Sequence, residues 1–132
     1  MDIINYLNDF LVNDISSVCG ELESYGLSLS KEEILDLVNT RNEALDSFGL
    51  IEPLDSAVKL VITEFCKSSY ISKEEYASVV NELVYIFYMY RHIISDVVSD
   101  KELVSTMYDT FEYKCNGSIE LLKDYLFGGS YE

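Results

Sequence analysis

Residues 73–96 read KEEYASVVNELVYIFYMYRHIISD, and this stretch decides the fold. Tyr76, Val80, Leu83, Phe87, Tyr90 and Ile94 recur at steps of three and four, the period of an α-helix with one apolar face. Val84, Ile86, Tyr88 and Met89 then carry the apolar surface around the second half. A helix that is apolar nearly all round needs neighbours on most sides, so residues 73–96 are predicted to lie at the centre of a bundle.

The neighbours are legible on either side. Ile4, Leu7, Leu11, Ile15, Val18, Leu22 and Tyr25 predict a first helix over residues 2–25, continuous or broken near Asn13–Asp14, with Gly20 weakening it. Ile34, Val38, Arg41, Leu45 and Phe48 line a second. Leu54, Val58, Val61 and Phe65 line a third, starting near Pro53, a residue suited to a first helical turn. Leu103, Met107 and Phe111 mark a fifth, and Ile119, Leu122 and Leu126 a short sixth.

The sequences Ser30-Lys31-Glu32-Glu33, Ser72-Lys73-Glu74-Glu75 and Ser99-Asp100-Lys101-Glu102 each match a capping box, in which Ser and Glu satisfy each other's backbone N–H groups. Gly26, Gly49 and Gly117 fall where a helix is expected to end. Boundaries are therefore expected near Gly26, Gly49, Ser72, Ser99 and Gly117. No stretch alternates with period two. The expectation is an all-α chain, residues 1–132 forming a single domain, a compact bundle of five or six helices around the central one.

Composition bounds the function. The 132 residues carry 24 acids against 9 Lys plus Arg, a formal charge of −15. Such a surface repels phosphate backbones and anionic lipid, so neither direct nucleic-acid binding nor membrane binding is expected. The N-terminus has acids where a secretory leader needs bases, and the longest apolar run, Leu83–Tyr90, is far short of the roughly 20 residues that span a bilayer. Cys19, Cys66 and Cys115 are odd in number and widely spaced, which predicts reduced, mostly buried thiols and a cytoplasmic location.

Catalytic and cofactor signatures are missing. His92 is the single histidine, no cysteines have chelating spacing, and there is no glycine-rich phosphate loop. No metal, cofactor or catalytic residue is assigned, and the balance leans away from an enzyme. A Cys–His pair formed by Cys66 or Cys115 with His92 is outweighed by a local helix-end contact of His92.

Two features remain. Arg41 occupies an apolar position of the second stripe, where a buried guanidinium needs a carboxylate; Glu82, beside the apolar face of the central helix, is the candidate partner in a structural ion pair. Among the eleven tyrosines, Tyr85, Tyr88 and Tyr90 cannot all face one core and form a candidate partner surface, weighed against ordinary rim packing.

Between about Leu37 and Leu126 the chain also carries, in order, Thr40-Arg41-Asn42-Glu43-Ala44-Leu45, Phe65-Cys66, Ser69-Tyr70-Ile71, Glu82-Leu83, Ile86-Phe87-Tyr88, Ser99-Asp100, Glu102-Leu103, Cys115 and Gly117-Ser118. In these runs it resembles an uncharacterised family of small acidic helical proteins, mainly of Firmicutes, carried only as a domain of unknown function. The resemblance implies a bacterial cytosolic origin and supplies no activity, cofactor or catalytic residue. The leading functional expectation is a non-enzymatic protein–protein interaction or regulatory module whose partner is another protein or the chain itself. The alternatives are a small-ligand or enzyme site near Arg41 and Glu82, and an acidic mimic of nucleic acid.

Overall fold

The computed structural model describes residues 3–52 and 55–128, the side chains of residues 3–6 excepted. Among these residues every regular element is helical: α1 (Ile3–Ser16), a 3₁₀ segment (Cys19–Tyr25), α2 (Lys31–Phe48), α3 (Val58–Phe65), α4 (Tyr76–Ile93), α5 (Asp100–Asp109) running into a π-helical turn (Thr110–Lys114), and α6 (Ile119–Phe127). The fold is the expected bundle of six helices. Its largest helix–helix contact joins α2 to α4, and α4 also packs on α3, α5 and α6. Tyr76, Val80, Leu83, Val84, Ile86, Phe87 and Tyr88 are all buried on α4, which is why this helix takes the centre.

The boundaries follow local hydrogen bonding. Ser30 and Glu33 form both halves of their capping box, at 3.1 and 2.8 Å, and α2 starts there. Ser99 accepts from the Glu102 N–H and opens α5, while its hydroxyl, rather than its N–H, meets the Glu102 carboxylate. Ser72 and Glu75 also meet, but they close a turn, so α4 begins at Tyr76 rather than Lys73 and ends at Ile93.

The first predicted helix is broken, slightly later than expected. The Ser17 N–H is shared between the carbonyls of Asn13 and Asp14, and the chain tightens into the 3₁₀ segment beyond. Leu22 stays buried there while Tyr25 turns outward. The Ile4 side chain of that stripe lies outside the described residues. So do Pro53 and Leu54, and α3 is described from Val58, with the N–H groups of Ala57 and Val58 taken by the Glu52 carboxylate and the Ser56 hydroxyl.

The far end of the bundle is held by a second buried carboxylate. Glu112, on the π-helical turn, accepts from the Ser68 hydroxyl (2.6 Å), the Ser69 hydroxyl (2.7 Å) and the Ser69 N–H (3.1 Å), fastening the α3–α4 loop to the end of α5. Beside it Gly117 has φ +81°, and a Cβ there would stand 2.3 Å from the Tyr70 Cβ, so both backbone shape and space demand glycine.

Cys66 and Cys115 are buried and Cys19 is half-buried; all three are free. Burial pushes each thiol above its ordinary value. A thiol reagent should therefore label native Cys19 before Cys66 and Cys115, all three reacting fast only in denaturant; rapid native labelling of all three would contradict this packing.

A second test concerns acid. Burial favours the neutral form of Glu112, but the bonds from Ser68 and Ser69 outweigh it and hold the carboxyl below its ordinary value. A group depressed in the fold contributes stability above its unfolded value and loses it as pH falls through the folded one. Below about pH 4.3, the ordinary glutamate value, the wild type should lose stability more steeply than Glu112→Gln. Parallel stability–pH curves would reject the assignment.

Candidate functional site

Arg41 lies where the helical period places it, on the inward face of α2, with a side chain only 8% exposed. Its partner is Glu52 in the loop after α2, Nε donating to Oε1 at 2.6 Å. Nη1 donates to the Asn42 amide oxygen at 2.8 Å, and the Asn42 amide reaches Asn8 of α1 at 3.0 Å. The other oxygen of Glu52 accepts from the Tyr88 hydroxyl at 2.6 Å and the Ala57 N–H at 3.2 Å. One carboxylate thus joins α2, α4 and the start of α3, where negative charge also complements the helix dipole. Burial and the adjacent carboxylate push the Tyr88 hydroxyl far above its ordinary value, keeping it protonated as a donor.

Two sequence expectations are corrected here. Arg41 has its carboxylate, but it is Glu52 and not Glu82. Glu82 is exposed on the flank of α4 and lines a different concavity, so the structure does not bring the two together. Of the candidate tyrosine surface, Tyr88 is buried in the clamp, while Tyr85 and Tyr90 are half-buried, against Phe48 (centroids 5.5 Å apart) and Phe127 (6.4 Å). Glu52, Ser56 and Tyr88 were missed as a cluster. The available signal was a single acid inside the apolar run Leu50-Ile51-Glu52-Pro53-Leu54.

His92 does not make the local helix-end contact expected of it but stacks across the bundle on Phe48 of α2, with ring centroids 5.5 Å apart. Arg91 fastens the next loop, donating to the Ser95 and Val98 carbonyls at 2.6 and 2.7 Å and to Asp100 at 3.1 Å. A hollow of about 130 Å³ adjoins Glu52, Tyr88 and Arg91. Small-molecule sites usually enclose roughly 300–1,000 Å³. Among the described residues no group of three or more His, Cys, Asp or Glu is arranged to hold a metal, and no helix is long and apolar enough to cross a membrane.

Larger concavities lie beside the clamp or away from it. One of about 570 Å³ runs along α1, and its described walls, Asp9, Phe10, Asn13, Asp14 and Ser17, come from that helix and the turn just after it. A second, of about 440 Å³, is bordered by Glu21 of the 3₁₀ segment, by Lys59, Leu60 and Thr63 of α3 and by Asp100 of α5. Two more follow the seam of α2 and α4. Thr40 bonds Asn81 at 2.6 Å, and Phe48 touches Tyr85 and His92, so the two helices run side by side in one direction. Above that seam, Thr40, Glu43, Glu82, Tyr85, Met89 and Lys123 border a hollow of about 410 Å³. Glu33, Asp36, Ala77 and Ser78 border another of about 320 Å³, and Asn81 lines both.

Residues 14–128 match the model of a family of unknown function, DUF6323. The chain belongs to that family. No curated protein and no solved structure matches it. The DUF6323 match takes in α2 to α6 whole, and with them the clamp around Glu52 and the α2–α4 groove. Arg41 and Tyr88 stand in the runs that carry the family resemblance, and in the fold both donate to Glu52.

Removing one member of a buried ion pair strands the other, at about 3–5 kcal/mol. Arg41→Ala and Glu52→Gln should each destabilise by that order in denaturant melts, with the double variant losing less than the sum. Glu82→Gln, on the exposed flank, should change stability by under about 0.5 kcal/mol. A large loss from Glu82→Gln, or small additive losses from the other two, would refute the clamp.

Proposed function

We propose that this chain is a non-enzymatic protein–protein interaction or regulatory module of the cytosol, and that it receives its partner in the groove over α2 and α4. The observation that carries this reading is the pair of adjoining hollows, which share Asn81 and present the half-buried Tyr85 and Met89 to an incoming surface. Tyrosine offers a large apolar body with a polar tip, and methionine adapts its shape, so both suit a surface that forms and releases contacts. The side chains best equipped for chemistry are otherwise engaged: Glu52 by three donors, Arg91 by three acceptors, and His92 by a stacked ring. Three free cysteines support the cytosolic placement.

A steric plug tests the groove without altering its charge. Ser78 is exposed on α4 at the hollow's edge, so Ser78→Trp should fill it and leave the melting curve unchanged. In affinity capture from native cytosol read by mass spectrometry, the wild type should retain a stoichiometric protein that Ser78→Trp loses. Equal capture by both, or the absence of any stoichiometric partner, would overturn the proposal.

A further inference from the structure

We infer that the partner element taken by this groove is a basic amphipathic helix of about three turns, an inference that rests on the interaction reading above. Three properties of the groove point there. The first is length. Its walls run from Glu33 to Glu43 on α2 and from Ala77 to Met89 on α4, about 15–18 Å at 1.5 Å per residue. A helix of ten to twelve residues, roughly three turns, covers that distance.

The second is spacing. On α2 one hollow is bordered by Glu33 and Asp36 and the other by Thr40 and Glu43, so their centres lie about seven residues and therefore about 10 Å apart. Apolar anchors at i and i+7 on a docking helix are separated by the same distance, so one side chain enters each hollow. An extended segment would lack its usual purchase, because no strand among the described residues offers a sheet edge.

The third is charge. Glu33 and Asp36 border one hollow, Glu43 and Glu82 the other. Against these four carboxylates stands one cation, Lys123, itself 4.0 Å from Glu120. The apolar floor of Ala77, Tyr85, Ile86 and Met89 is thus flanked by acids on both walls, a match for a helix with an apolar stripe and lysine or arginine beside it. A second copy of this chain would bring another −15 charges to an already negative surface, which disfavours self-docking.

The test uses the full chain and a displayed library of random peptides about sixteen residues long, long enough for three turns plus frayed ends. Peptides selected on the wild type and counter-selected on Ser78→Trp should carry apolar residues at i and i+7 flanked by Lys or Arg, and should gain helicity on binding. Reversing the two acids of one hollow, Glu43→Lys with Glu82→Lys, should weaken them about tenfold, as expected for two exposed pairs turned from attraction to repulsion. The loss should shrink as salt rises. The remote reversal Glu23→Lys with Asp109→Lys should change affinity less than about twofold. Groove-dependent peptides that are neutral or acidic, or equal losses from both reversals, would overturn the basic helix and leave the interaction reading standing. Failure to select any peptide that Ser78→Trp excludes would overturn both.

Discussion

A single carboxylate, Glu52, holds the centre of this molecule together. It sits in a loop, yet its side chain is only 7% exposed, and burial without partners would cost several kcal/mol. Arg41, Tyr88 and the Ala57 N–H satisfy it from three directions. Each comes from a different part of the chain, so the ion is stable only when α2, α4 and the start of α3 are all in place. That makes the clamp a specificity device as much as a source of stability. A misplaced α3 would leave a buried charge unpaired, a penalty that an apolar contact in the same position would not impose.

The parallel arrangement of α2 and α4 follows from this. Helices adjacent in sequence and joined by a short loop normally run antiparallel, but here α3 intervenes and α4 returns alongside α2 in the same direction. The two negative helix ends therefore lie together. Arg91 and His92 occupy the last turn of α4, where positive charge is favourable, and Arg91 spends its guanidinium on the carbonyls and carboxylate of the following loop. At the opposite side Glu112 performs for the α3–α4 loop what Glu52 performs for α3.

What could be read in advance divides along a physical line. Helical period located the buried face of α2 to α6, and of α1 only in part, since Leu7 is exposed. Arg41 stood out because it broke that period; the three serine boxes marked real turns, two of them helix starts. The partner of Arg41 was not legible by the same logic. Periodicity ranks residues on helices, and Glu52 is on none, whereas Glu82 flanks an apolar face. Tyr88 was misjudged for a related reason. An apolar helix with three neighbouring tyrosines implies that some hydroxyls reach polar partners, but not whether the partner is water or a buried carboxylate two elements away. The break in the first helix was sensed at Asn13–Asp14 and fell past Ser16, where serine hydroxyls compete for the carbonyls of the preceding turn.

The groove lies over the same pair of helices. The two parallel helices are clamped at one end through Glu52 and tied further along by Thr40 and Asn81. α6 borders the seam only through Lys123, leaving most of its length uncovered among the described residues. A third helix laid along the seam would complete the layer that α2 and α4 begin, and the acids on both walls set the charge that helix must carry.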